Sequence, residues 1–392
     1  MRLEALLSIP VQQIGALVGE AWGSFSRGSS TPDVPLLAPT WGLVGEALLD
    51  RTFTLMTSVM TGIPMPDQVR RMLDDLHATH AFYEARGWPA DPSGYHQTPT
   101  PIGAVSRRSG WSFAGRRPLD YEHISFPSGF APHAGEPGRE RWLAHPRNGT
   151  SHVYVLEHEE PRPWLVGVHG FGMGTPLVNF AGFPVRMLHE QLGLNLALPV
   201  LPLHGPRGRR GVSGAEVLTP DYLRMLHLLA QAVWDVRRTL AWIRARSDQP
   251  IGLHGISLGG CVAALVAAFE PELACVIAGV PPVDFPSLAN DNQPWIMRRY
   301  SDEFEVDQRL VRAVSHVVSP LAFAPRVPRE RRFIYAGVAD RVVKPYQPRA
   351  LWRHWEEPEI HWFSGGHVLG IWNETVGEFL TQALETSGLV RD

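Results

Sequence analysis

Ser257 stands at the centre of Gly255-Ile256-Ser257-Leu258-Gly259-Gly260, directly after a short apolar run and directly before a small-residue segment. Between a strand and a helix, this spacing forces a sharp turn that pushes the serine hydroxyl past the end of a sheet, where it can attack a carbonyl. The pattern alone is weak evidence, since about 0.2 matches arise by chance in such a chain. Its value depends on what else reaches the same place. A serine hydroxyl needs a base to take its proton, and the base works best when a carboxylate orients it. Gly337-Val338-Ala339-Asp340 follows the strand pattern Arg332–Gly337, which puts Asp340 at a strand's carboxyl end. Gly365-Gly366-His367 follows the strand pattern Glu359–Phe363 in the same way, and its two glycines allow the loop to bring the imidazole inward.

Each assignment has a rival. Asp284, after the strand pattern Ala274–Gly279, is a second candidate acid, and His361 a second histidine, although it falls within its strand. His204 and His254 lie near the same sheet edge without an assigned catalytic role.

The elements that must position these residues alternate from Tyr121 onward. Strands are expected at Glu122–Phe126, His152–His158, Leu165–Val168, Leu194–Leu201 and Ile251–His254, then at the three named above. Helices are expected at about Pro184–Leu192, Asp221–Arg244, Gly260–Phe269, Tyr346–Trp355 and Glu374–Thr386. In Asp221–Arg244, Leu223, Leu226, Leu229, Val233, Val236, Leu240 and Ile243 make one apolar stripe. Such alternation implies a mostly parallel sheet covered on both faces, with right-handed crossovers. Ligands of these sheets sit beyond the carboxyl ends of the strands, which is where Ser257 falls.

From about Tyr121 to the C-terminus the chain resembles the α/β-hydrolase superfamily. The resemblance rests on Val168-His169-Gly170-Phe171-Gly172, the serine hexapeptide, Gly337-Val338-Ala339-Asp340-Arg341-Val342-Val343 and Gly365-Gly366-His367-Val368, in the superfamily's Ser, Asp, His order. Pro202-Leu203-His204-Gly205-Pro206-Arg207 is similar to a little-characterised branch that carries no substrate with it. The resemblance implies a serine carboxylesterase or lipase-like enzyme with Ser257 as nucleophile, His367 as base and Asp340 as acid. The backbone N–H groups of Phe171 and Leu258 would form the oxyanion hole. Leu258 also opens a helix, whose N-terminal dipole favours developing negative charge. His169 and Gly170 would support the oxyanion loop, and Gly255 and Gly259 the serine turn. An acyltransferase or peptidase would use the same triad, and a non-catalytic binding protein could occupy the same fold.

Residues 1–117 are read as a helical N-terminal extension and linker, and 118–392 as the α/β-hydrolase domain, with a cap insertion at about 284–325. In the extension, Asp67–Arg86 has helical spacing on Val69, Met72, Leu73, Leu76 and Tyr83. Residues 1–22 are also helical in pattern, kinked at Pro10, and offer a surface for core packing, a homodimer or peripheral membrane contact. Trp88 to about Arg117 reads as connection. The insertion carries Phe285, Trp295, Ile296, Met297, Tyr300 and Phe304, and as an apolar cap it would favour an acyl chain or aromatic group. The loop Gly205–Pro220 carries Arg207, Arg209 and Arg210 and reads as exposed and solvated.

The chain has 392 residues, 44% hydrophobic and 19% charged, with a formal net charge of -3. That balance is globular, and it gives no reason to expect a nucleic-acid partner. Trp41 to Met65 is the most apolar window, but Glu46, Asp50 and Arg51 interrupt it, which argues against a spanning helix. With no signal-peptide pattern at the start, and with Cys261 and Cys275 in apolar segments as two buried free thiols, a cytoplasmic protein is expected, in membrane association if the N-terminal arm binds lipid. Although there are 17 histidines, none has tight ligand spacing with a cysteine or carboxylate, so neither metal nor cofactor is expected.

Overall fold

The computed structural model describes residues 33–390 apart from 36, 37, 39, 63, 210, 294–297, 300 and 301. The helical pattern at 1–22 and Trp295, Ile296, Met297 and Tyr300 of the insertion lie outside them.

In the middle of the sheet, short apolar runs become buried strands because both faces are covered. The strands are β1 Ser106–Ala114, β2 Arg117–Pro127, β3 Thr150–Leu156, β4 Trp164–Val168, β5 Asn195–Pro199, β6 Ile251–Ile256, β7 Cys275–Gly279, β8 Arg332–Gly337 and β9 Glu359–Phe363. They form one sheet in the order β1-β2-β3-β5-β4-β6-β7-β8-β9. β1, β2, β3 and β5 pair antiparallel, and β5 through β9 pair in parallel. From β4 the chain goes to β5 on one side and then to β6 on the other. Strand order therefore reverses at β4, and the crevice beyond the carboxyl ends of β4 and β6 is the position where open α/β sheets bind ligands.

The helices are α1 Trp41–Thr61, α2 Pro66–Glu84, α3 Pro176–Gly182, α4 Tyr222–Arg244, α5 Leu258–Val266, α6 Phe285–Asn292, α7 Gln308–Ser315, α8 Tyr346–His354, α9 His367–Gly370 and α10 Glu374–Thr386. One core lies under α4 and α5 and includes Leu76 and Tyr83 of α2. The second lies under α10 and the segment before β5. The strands Arg332–Gly337 and Glu359–Phe363 and the helix Glu374–Thr386 have the expected bounds.

Three expectations are corrected. The stretch read as connection contains β1, which pairs along its length with β2. Its alternation is hidden in the sequence because the strand is almost wholly exposed, with only Ser112 and Ala114 buried. The helix expected from Pro184 begins after it and winds as a π-helix over Met187–Gln191, while α3 precedes it. The insertion is not all cap: Leu310, Val311 and Val314 of α7 belong to the main core, and α7 packs on α2. Both cysteines are free and buried, and burial raises their thiols, that of Cys275 to about 11. Among the described residues no helix is long and apolar enough to cross a membrane.

Candidate active site

The turn after β6 works because Gly255 and Gly259 make room for it. Ser257 sits at φ 55°, ψ -116°, a conformation that L-residues rarely adopt and that costs of order 1–3 kcal/mol. Its N–H donates to the Gly279 carbonyl at 2.8 Å, which ties the strained residue to β7. A Cβ on Gly255 would stand 2.0 Å from the Gly259 oxygen, and one on Gly259 would stand 1.9 Å from the Val168 oxygen. Either substitution would push helix α5 off the sheet and carry Ser257 with it.

The structure brings Ser257, His367 and Asp340 together from the ends of β6, β9 and β8. Ser257 Oγ lies 2.9 Å from His367 Nε2, and His367 Nδ1 lies 2.7 Å from Asp340 Oδ2. The other oxygen of Asp340 accepts from the N–H groups of Val342 at 2.9 Å and Val343 at 2.7 Å, so the carboxylate cannot turn away. With a carboxylate on Nδ1, that nitrogen carries the proton and Nε2 is left to accept from the serine. Burial opposes charging the imidazole, but the charge and hydrogen bond of Asp340, helped by Asp50, outweigh it and hold His367 above the ordinary histidine value. Burial in turn pushes the Asp340 carboxyl up, against the attraction of His367.

The loop after β4 closes on the same serine. A Cβ on Gly170 would lie 3.2 Å from the Ile256 carbonyl oxygen and 3.3 Å from the Ser257 Cβ, so the loop passes in tight contact with the serine turn. Among the described residues the N–H groups of Phe171 and Leu258 donate to no protein acceptor, and both lie beside Ser257 in sequence or space. That leaves two donors available to an oxyanion. His169 is fully buried; its Nδ1 is 2.8 Å from the Gly170 carbonyl and its Nε2 accepts from the Leu201 N–H at 3.0 Å. Burial, then the neighbouring His204, brings its pKa to about 3, so it is a neutral brace between the loop after β4 and the loop after β5.

The rivals are occupied elsewhere. Asp284 caps α6, accepting from the Ser287 N–H at 3.1 Å and its hydroxyl at 2.6 Å. His361 Nε2 contacts the Thr375 hydroxyl at 2.8 Å, and the ring stacks on Phe379. His254 meets the Tyr335 hydroxyl at 3.0 Å inside the sheet, with burial lowering its pKa to about 3. His204 is buried behind Phe171, its Nδ1 2.8 Å from the Pro202 carbonyl. Arg207 corrects the solvated reading of its loop. Its side chain is fully buried, pairs with Asp235 at 2.8 Å and donates to the Val200 and Asn148 carbonyls at 2.9 Å each. Arg209 is exposed, and Arg210 lies outside the described residues.

Sequence reasoning missed two residues of α1. Asp50, 1% exposed, and Glu46 accept from backbone N–H groups of the loops that carry His367 and Asp340. The available signal was the pair of carboxylates interrupting an apolar window, four residues apart and so on one helix face.

No family model matches the chain. It is 39% identical over 383 residues to the uncharacterized protein Rv2627c of Mycobacterium tuberculosis strain ATCC 25618 / H37Rv, covering 97% of this chain and 91% of that protein. The uncharacterized protein MT2702 of strain CDC 1551 / Oshkosh matches to the same extent. The chain belongs to the family of these mycobacterial proteins. Among solved structures, the acetyl xylan esterase from Paenibacillus sp. R4 is similar at a TM-score of 0.50 and 16% identity, covering 78% of this chain and 94% of that chain. With the strand order and the serine turn at β6, that likeness shows the α/β-hydrolase fold.

Proposed function

We propose that this protein is a serine hydrolase that cleaves a carboxylic ester through an acyl-enzyme. The observation that carries the proposal is the unbroken relay from Ser257 Oγ to His367 to Asp340, at 2.9 and 2.7 Å, beside two unengaged backbone N–H groups. Ser257 Oγ attacks the ester carbonyl as His367 Nε2 takes its proton. The carbonyl oxygen becomes an oxyanion held by the Phe171 and Leu258 N–H groups. The tetrahedral intermediate then collapses: the ester C–O bond breaks, and the imidazolium gives its proton to the departing alcohol. Water, deprotonated by His367, attacks the acyl-enzyme, and Ser257 recovers its proton as the acid leaves. Asp340 holds the productive tautomer and stabilises the imidazolium at both stages.

Apolar residues near the site, among them Phe171 and Phe53, whose rings meet edge to face at 6.4 Å, support an apolar acyl or aromatic group in the substrate. A fluorophosphonate probe and p-nitrophenyl esters of graded acyl length test the proposal. Labelling and turnover are expected in the wild type and absent in Ser257→Ala. Labelling that persists in Ser257→Ala refutes the assignment.

A further inference from the structure

The loop Gly365-Gly366-His367-Val368 turns sharply out of β9, and α9, which starts at His367, is only one turn long. The first N–H groups of a helix have no partner within it, and a one-turn helix cannot hold its own geometry. Here the partners come from the N-terminal extension, more than 300 residues earlier in the chain. Asp50 Oδ2 accepts from the His367 N–H at 2.8 Å and from the Arg341 N–H at 2.9 Å, and its Oδ1 accepts from the Val368 N–H at 3.0 Å. Glu46 Oε2 accepts from the Gly366 N–H at 2.7 Å. Two carboxylates on one face of α1 thus hold the loop of the base. One of them also holds the residue next to the acid.

The double glycine is cut to fit this clamp. A Cβ on Gly366 would stand 2.9 Å from Asp50 Oδ2, and one on Gly365 would stand 3.0 Å from Glu46 Oε2. Both loops also meet directly, through the Ala339 N–H on the Gly365 carbonyl at 3.0 Å. About one turn further along α1, Phe53 meets Phe171 of the loop after β4. Burying a carboxylate as deeply as Asp50 is expensive unless its charge is met by donors. A helix needed only for packing would present Leu or Ala at that position.

We propose that Asp50 and Glu46 are positioning residues, which register the His367 loop against the Asp340 loop so that the catalytic centre is completed only when α1 is docked. The inference deepens the hydrolase reading and rests on it. The charges that act on the imidazole are Asp340 and Asp50; Glu46 from α1 sits on the adjoining Gly366 N–H, and Arg341, with Arg51 near it, faces the same two aspartates, so removing the Asp50 charge favours the neutral ring.

The test compares the full-length wild type with Asp50→Asn and Glu46→Ala, using p-nitrophenyl ester kinetics, melting temperature, and the downfield proton resonance of His367 Nδ1 followed against pH. An asparagine has one acceptor oxygen for three donors, so the loop shifts. A shift of even 1 Å at a reacting group costs on the order of 100-fold in rate. The expected result for Asp50→Asn is a fall in kcat of about 10- to 100-fold, with KM nearly unchanged and the proton resonance titrating at lower pH. Glu46→Ala, which frees only the Gly366 N–H, should keep the fold and lose a smaller part of kcat. Folded variants with wild-type kcat and an unmoved resonance overturn the proposal. If Asp50→Asn does not fold, an unchanged kcat and resonance in Glu46→Ala overturn it. A wild type that turns over no ester and takes no probe overturns the hydrolase reading instead, and the resonance then decides the positioning question alone.

Discussion

Replacing Asp340 with asparagine changes one atom of the relay, and the hydrogen bonds around that atom set the cost. In the wild type one carboxylate oxygen accepts from the Val342 and Val343 N–H groups and the other from His367 Nδ1. An amide has one oxygen. If that oxygen faces the histidine, the amide NH2 points at two backbone donors, and stranding them costs about 1–3 kcal/mol each. If it faces the backbone, the NH2 points at Nδ1, which must then give up its proton to accept. The imidazole moves its hydrogen to Nε2 and can no longer take a proton from Ser257. Two stranded donors, about 2–6 kcal/mol, outweigh the small cost of changing tautomer, so the unproductive form should dominate by about 30- to 10⁴-fold. Loss of the charge that stabilises the imidazolium adds to this, and the same change in the triad of an unrelated serine protease costs about 10⁴ in kcat. Asp340→Asn should therefore retain its melting temperature and lose at least about 10³ in kcat/KM. Ester turnover and the rate of fluorophosphonate labelling measure this. Asp284→Asn is the matched control, because asparagine caps a helix as well as aspartate does, and its rate should stay at the wild-type value. A rate for Asp340→Asn within tenfold of wild type, or a large loss in Asp284→Asn, rules out Asp340 as the carboxylate that orients the base.

Two other outcomes concern pH and stability. Because Asp340 and Asp50 hold His367 above the ordinary value of 6.5, the base is protonated and idle at acid pH, and kcat/KM should rise with pH to a midpoint above 6.5; a midpoint at or below it, measured at fixed ionic strength, contradicts the assigned environment. Arg207→Ala removes the ion-pair partner of the buried Asp235 carboxylate and the side-chain donor to the Val200 carbonyl, so denaturant unfolding should show a loss of about 3–5 kcal/mol, whereas Arg209→Ala, on the surface, should change stability by less than about 0.5 kcal/mol.

Legibility in the sequence depends on whether a signal is local. The serine turn can be read because its glycines answer a local steric demand, and the strand β8 because a buried parallel strand is a short run of apolar residues. β1 is not legible: an edge strand with an exposed pattern differs little from a loop until its partner β2 is known. The loop of Arg207 misleads for a similar reason, since an arginine looks solvated until Asp235, on a distant helix, is placed against it.

Residue types and their order along the chain are enough to nominate Ser257, Asp340 and His367, each after a strand. They do not establish which carboxylate orients the histidine, because Asp284 and Asp340 both follow strands and differ only in what the fold sets beside them. Nor do they bring Asp50 and Glu46 to the loop of the base. A hydrogen bond from a helix to a loop more than 300 residues away leaves no periodicity and no spacing, since it depends on where the folded chain puts the two ends of the bond.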